Sequence, residues 1–243
     1  ELCPNITEMY EAFRRVSFKN AGVMDARLLA ESLSEKLQVL CIVNSRKSAQ
    51  TVYEMLPEEG RFHLSTLMFP EHRRKTLEII KKRLKAGLPC RVVSTSLIEA
   101  GVDVDFPTVW RERAGLDSIL QAAGRCNREG NNSAEDSFVT IFEGVSSMPQ
   151  MLKVNIGATN EILRDGIDPA SPETVEKYFM AYRSLAGNQL DKADIIGLMK
   201  TPYTPFRTIA ERFRMIDSNT KTVYIPLGEG AEVIAKLRDG FRS

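Results

Sequence analysis

Apolar positions recur in two rhythms along this chain, and the rhythms alternate. Met9, Phe13 and Val16 suggest a short helix over residues 7–15, and Leu28, Leu29 and Leu33 the buried side of a second over residues 25–37. Residues 38–43 are a compact apolar run of strand length ended by Asn44-Ser45, the pattern of an interior strand. Ser45 then caps a helix through Leu56, with Ala49, Val52 and Leu56 three and four apart. Pro57-Glu-Glu-Gly60 is a turn, and residues 61–66 read as a second strand. Pro70 opens a helix in its first turn, where its missing N–H costs nothing; Leu77, Ile80 and Leu84 form its apolar stripe and Gly87 closes it. Residues 90–94, 108–111 and 137–142 read as further strands. Strand and helix in alternation predict an α/β fold, a parallel sheet with helices on both faces.

After Gly144 the texture changes. Residues 151–164, 172–185, 192–200 and 205–216 are helix-like, a late strand candidate covers residues 222–226, and a last helix covers residues 229–238. The expected organisation is a sheet domain over residues 1–146 and a mostly helical extension over residues 147–243, separate or part of the same domain.

Composition narrows the chemistry. Hydrophobic residues at 43% and charged residues at 27% describe an ordinary globular protein able to bury a core. A net charge of +1 gives no global pull toward nucleic acid, so any such binding must come from a local patch. The four cysteines, Cys3, Cys41, Cys90 and Cys126, lack Cys-x-x-Cys spacing and read as reduced residues of a cytoplasmic protein, without disulfides or zinc. Two histidines, His63 and His72, are too few for a metal cluster or a Ser-His-Asp system. No apolar run reaches the ~18 residues of a membrane span, and the amino terminus lacks a signal pattern.

The stretch from Val92 to Gly130 carries the candidate chemistry. Its strand ends at Ser94-Thr95-Ser96, and Glu99-Ala-Gly101-Val-Asp103 follows: strand, polar turn, glycine and acid, the layout in which an open α/β sheet presents ligand groups. Farther on, Asp117 or Ser118 can cap a helix on which Leu116, Ile119, Leu120 and Ala123 share a buried stripe. Extended through Arg128, that helix would align Gln121, Arg125 and Arg128 on another stripe about 100° round. Two arginines flanked by Gly124 make a fork for clustered anionic oxygens. Seven basic residues between Arg73 and Lys85, against Glu71 and Glu78, add either a stripe for a nucleic-acid backbone or a solvated helix face.

Ser94-Thr95 with Gly101 and Asp103 resembles motif V, and Gln121-x-x-Gly124-Arg125-x-x-Arg128 motif VI, of the second RecA-like lobe of superfamily-2 helicases. The segment between them and the tail Arg125-Cys126-Asn127-Arg128-Glu129-Gly130 are similar to the CRISPR-associated helicase-nuclease of type I systems. The resemblance implies a RecA-like parallel sheet with helices on both faces and a mostly helical C-terminal extension. It also implies the motor lobe of an ATP-dependent single-stranded-DNA translocase in antiviral interference. Arg125 and Arg128 would be catalytic fingers; Gly101, Asp103, Gln121 and Gly124 would line the nucleotide, and Ser45, Arg46, Ser65, Ser94 and Thr95 would hold nucleic acid. The implied cofactor is ATP with magnesium, and the implied partners are single-stranded DNA, a first RecA-like lobe, a nuclease domain and a Cascade-type CRISPR effector complex. No glycine precedes a lysine and no aspartate precedes a glutamate, so the phosphate loop and the magnesium-binding Asp-Glu box must come from elsewhere. The chain alone is therefore expected to be inactive. The alternatives are a lobe of another superfamily-2 helicase, acting on RNA or in repair, and a non-catalytic RecA-like module that binds nucleic acid or a partner.

Overall fold

The computed structural model describes residues 5–99, 101–147, 150–163, 166–213 and 223–240. Cys3 lies outside them. The chain divides into two compact units, Glu1–Gly187 and Asn188–Ser243. The first contains helices α1 (Ile6–Phe13), α2 (Ala26–Ser34), α3 (Arg46–Met55), α4 (Pro70–Lys85), α5 (Leu116–Ala123), α6 (Lys153–Ile162) and α7 (Pro172–Ala186). Its strands are β1 (Ser17–Val23), β2 (Gln38–Ile42), β3 (Arg61–Leu64), β4 (Cys90–Ser94), β5 (Thr108–Glu112) and β6 (Phe138–Glu143). They form one sheet in the order β1-β6-β5-β2-β4-β3, with every pair parallel. This is the RecA-like α/β arrangement expected from the sequence.

The sheet buries both faces because the side chains of β2 alternate across it. Leu40 and Ile42 join Ile80 of α4, Ala122 of α5 and Phe106 on one side. Val39, Cys41 and Val43 join Leu29 and Leu33 of α2 and Ala49 and Val52 of α3 on the other. Leu28 is 48% exposed, so the buried side of α2 is narrower than its leucines suggest. Trp110 packs with this second cluster, its ring centroid 6.1 Å from that of Phe142.

Strand β1 went unread in the sequence pattern. Among the described residues it pairs only with β6, at the sheet edge, and it is largely exposed, so Lys19, Asn20 and Gly22 interrupt any apolar alternation. A lysine on an edge strand also discourages pairing with a further strand.

Helix α5 also differs from expectation. Gly115 is its N-cap; Asp117 and Ser118 lie inside the first turn, where the Asp117 carboxylate accepts a hydrogen bond from the Tyr178 hydroxyl at 2.8 Å. The helix stops at Ala123 with Gly124 as its C-cap, so Arg125 and Arg128 do not share a helical stripe with Gln121. Cys126 turns back to bridge Phe106 beneath the sheet, and Asn127 takes a left-handed conformation with φ 46. The Asn127 amide nitrogen donates to the carbonyls of Arg15 and Asn132, both at 2.8 Å, and those bonds offset the cost of that backbone.

Strands give way to helices near residue 147, but the first compact unit continues to Gly187. Leu116 of α5, Ala158 of α6, and Tyr178 and Ala181 of α7 form one buried cluster that fastens the pair α6 and α7 to the sheet unit. In the second unit are α8 (Ile195–Met199), α9 (Phe206–Arg212) and α10 (Glu229–Gly240). Helix α8 begins later than the apolar pattern suggested because Asp194 is left-handed, φ 54. Residues 223–226 of the late strand candidate are in no strand, and Thr222 lies outside the described residues. No helix among the described residues is long and apolar enough to cross a membrane.

Candidate functional site

Parallel pairing puts the carboxyl ends of β2, β3 and β4 along one edge, and these three strands are neighbours. Ser45, Ser65 and Thr95 follow those ends as a row of hydroxyl residues. The Ser45 hydroxyl caps α3, accepting from the Ser48 amide at 3.0 Å and meeting the Ser48 hydroxyl at 2.7 Å. Arg46 is exposed on the first turn of α3. Ser65 and Thr95 lie close beneath the surface, 4% and 8% exposed. Ser94 is at 0%, with its hydroxyl donating to the Thr95 carbonyl at 2.8 Å, so of the Ser94-Thr95 pair only Thr95 presents atoms at the edge.

A second group gathers where the chain returns from the end of β4 to the start of β5. Gly101 makes the turn possible, with φ +70, a conformation that side chains with a Cβ seldom adopt. Beyond it, the Asp103 carboxylate meets the Arg128 guanidinium at 2.6 Å. Asp105 holds the backbone of the same turn, accepting from the Arg128 amide at 2.7 Å, and the Arg128 carbonyl accepts from Arg15. Arg125 reaches toward the carboxyl end of β4, its Nε donating to the Ile98 carbonyl at 3.1 Å and Nη2 to the Glu99 carbonyl at 2.6 Å. Partial burial and the neighbouring Arg128 charge lower the Arg125 pKa from the usual guanidinium range.

The structure thus brings Arg125, Arg128 and Asp103 together beside Gly101. Gln121 is exposed on α5, and its side chain makes no hydrogen bond among the described residues; Gly124 ends that helix. Two hollows flank the Arg128–Asp103 pair. One of about 530 Å³ lies between Lys81 and Lys85 of α4 and Asp103 and Asp105. The other, about 240 Å³, lies between Phe13 and Arg15 on one side and Gly124 and Arg128 on the other. The basic residues of α4 are partly spoken for: Arg74 pairs with Glu78 at 3.1 Å and Lys75 with Glu71 at 2.5 Å.

Sequence reasoning missed a buried polar network between these two groups. The Arg111 guanidinium, 2% exposed, pairs with the Glu99 carboxylate at 2.8 Å and donates to the Asn44 side-chain oxygen at 2.8 Å. Glu112 accepts from the Asn44 amide and the Ser146 amide, both at 2.6 Å. The Ser146 hydroxyl meets that of Ser48 at 2.9 Å. Burial raises the Glu99 pKa against the opposing pull of Arg111, and burial lowers the Arg111 pKa. The available signal was an arginine and a glutamate closing an otherwise interior strand, where charge is expected only when paired.

Residues 35–131 match the family model described as CRISPR-associated nuclease/helicase Cas3, C-terminal. A CRISPR-associated nuclease/helicase Cas3 of Haloferax volcanii is 49% identical over 59 residues, 24% of this chain and 6% of the relative. The protein of that name from Methanothermobacter thermautotrophicus is 27% identical over 134 residues, 54% of this chain and 16% of the relative. The crystal structure of T. fusca Cas3-ATP is similar with a TM-score of 0.57 and 18% identity, over 82% of this chain and 26% of that one, a likeness of fold. The chain matches only a minor part of the length of each.

Proposed function

We propose that this chain, whose residues 35–131 match the Cas3 C-terminal family model, is the arginine-bearing half of an ATP site in a single-stranded-DNA motor. The observation that carries this reading is the convergence of Arg125 and Arg128 on the segment of Gly101 and Asp103, with Arg128 still 42% exposed in its ion pair. Phosphoryl transfer needs positive charge where negative charge spreads in the transition state, and preorganised guanidinium groups supply it.

The missing half of the site is the phosphate loop and the acidic box that holds magnesium, supplied by a first lobe. Once a nucleotide binds there, Arg128 exchanges Asp103 for a terminal phosphate, and the freed carboxylate turns to a ribose hydroxyl. Arg125 stays anchored on the Ile98 and Glu99 carbonyls and presents its remaining N–H groups. Gln121 and Gly124 border the same cleft. The hydroxyl row of Ser45, Ser65 and Thr95, with the helix start at Arg46, holds the phosphates of a single strand, and cycles of closure and opening move the lobe along it. The nuclease domain and a Cascade-type effector complex are the partners of the full-length enzyme.

Two measurements test this. The purified chain should hydrolyse ATP at a negligible rate, since none of its glycines precedes a lysine. In the full-length enzyme, Arg125→Ala or Arg128→Ala should lower hydrolysis on the order of a thousandfold while ATP binding changes only a few-fold. Robust turnover by the chain alone, or near-wild-type turnover in both variants, would overturn the assignment.

A further inference from the structure

A continuous set of hydrogen bonds and one buried ion pair joins the arginine group to Ser45 of the hydroxyl row through the interior of the sheet. It starts at Arg125, whose Nη2 donates to the Glu99 carbonyl. The side chain of the same Glu99 pairs with Arg111, which passes the end of β2 and donates to Asn44. Asn44 immediately precedes Ser45, and its amide is held by Glu112, which also binds Ser146. Ser146 reaches Ser48, whose amide is capped by Ser45. Glu99 and Arg111 touch neither hollow beside Arg128.

From this continuity we propose that Glu99 and Arg111 are positioning residues that couple nucleotide state at Arg125 to the single-strand contact at Ser45. The inference rests on the motor reading above and adds the route by which its two ends communicate. Two physical points support it. A buried ion pair is seldom more stable than a well-packed apolar pair of the same volume, so stability alone does not account for its presence here. A buried ion pair at 2.8 Å and the charge-assisted bond that Arg111 donates to Asn44 leave little room for geometric change, so a shift of the Glu99 backbone with Arg125 is passed to Asn44.

The test uses the full-length enzyme and reads the ratio of ATP hydrolysis with and without single-stranded oligonucleotide. In the double variant Glu99→Met/Arg111→Met the interior is refilled without charge, while the main-chain carbonyl that holds Arg125 remains. The expected result is a stimulation ratio reduced about tenfold, with the melting temperature and the affinity for the oligonucleotide close to wild type. A ratio within about twofold of wild type would overturn the proposal, as would a reduction that only parallels lost oligonucleotide binding. If the double variant does not fold, Asn44→Ala removes the same link from its Ser45 end and should lower the ratio similarly; an unchanged ratio there refutes the route. Arg125→Ala run alongside keeps the two ideas apart. Wild-type hydrolysis in that control defeats the finger reading, whereas full stimulation in the double variant defeats only the coupling.

Discussion

Glu99–Arg111 and Asp103–Arg128 are the same two functional groups at nearly the same separation, 2.8 and 2.6 Å, with their acids four residues apart on one loop. Their surroundings are opposite. The first pair is 5% and 2% exposed and spans the end of β2; the second is 74% and 42% exposed beside open hollows. Burial decides what an ion pair can be. In the interior a guanidinium fixes neighbouring strands and cannot leave; at the surface the same group is held weakly enough to take another anion.

The largest expected effect breaks the buried pair from one side. Arg111→Ala leaves the Glu99 carboxylate in the interior without its counter-charge, at a cost of about 3–5 kcal/mol. For a chain of this size the loss corresponds to a melting temperature lower on the order of 10 °C. Its pH dependence has a defined sign. Burial already raises the Glu99 pKa, and removing Arg111 takes away the charge that most opposes it, so the folded variant binds a proton more readily than its unfolded chain. Its deficit should be greatest at neutral pH and above, and should shrink as pH falls through the raised pKa toward the ordinary carboxylate range. Thermal melts across that range check this; a deficit independent of pH would show that removing Arg111 leaves the Glu99 pKa unchanged.

The two pairs also mark what the residues disclose before folding. Alternating β2 side chains, the Pro70 start of α4 and the Ser45 cap are local, and local patterns are legible. Gly101 and Asp103 fall within one loop, so their proximity to each other follows from spacing. Arg111 and Glu99 meet only because β2 is inserted between β5 and β4, an order that periodicity does not fix. The end of α5 misled for a different reason. Gln121, Arg125 and Arg128 continue a helical spacing, yet Gly124 and the left-handed Asn127 break it, and the buried Cys126 pulls the turn under the sheet. Edge strand β1 was hidden because half of its surface has no core to face.

Between the extremes stands Arg125, part-buried and bound to two main-chain carbonyls rather than to a carboxylate. Its removal leaves no unpaired charge, but it costs two charge-assisted hydrogen bonds. Arg125→Ala should therefore destabilise the isolated chain by about 2 kcal/mol, less than Arg111→Ala and more than any change at Arg128. Urea melts of the three variants give the order directly. If Arg125→Ala melted like wild type, its anchoring on Ile98 and Glu99 would have no energetic weight.

The smallest effect belongs to the exposed pair. Arg128→Ala and Asp103→Ala should each change stability by less than about 1 kcal/mol, because water screens both partners and long side chains lose entropy when they pair. A double-mutant cycle should assign the pair a coupling of a few tenths of a kcal/mol that vanishes near 1 M salt, where the Debye length is about 3 Å. The corresponding cycle on Glu99 and Arg111 should scarcely respond to salt. A salt-insensitive coupling at Asp103 and Arg128 would mean that the guanidinium is locked, as Arg111 is, and not available to a phosphate. A weak, screened coupling is what the proposed exchange requires: a phosphate would offer more negative charge and a two-point contact, so that leaving Asp103 would cost less than the new bonds return.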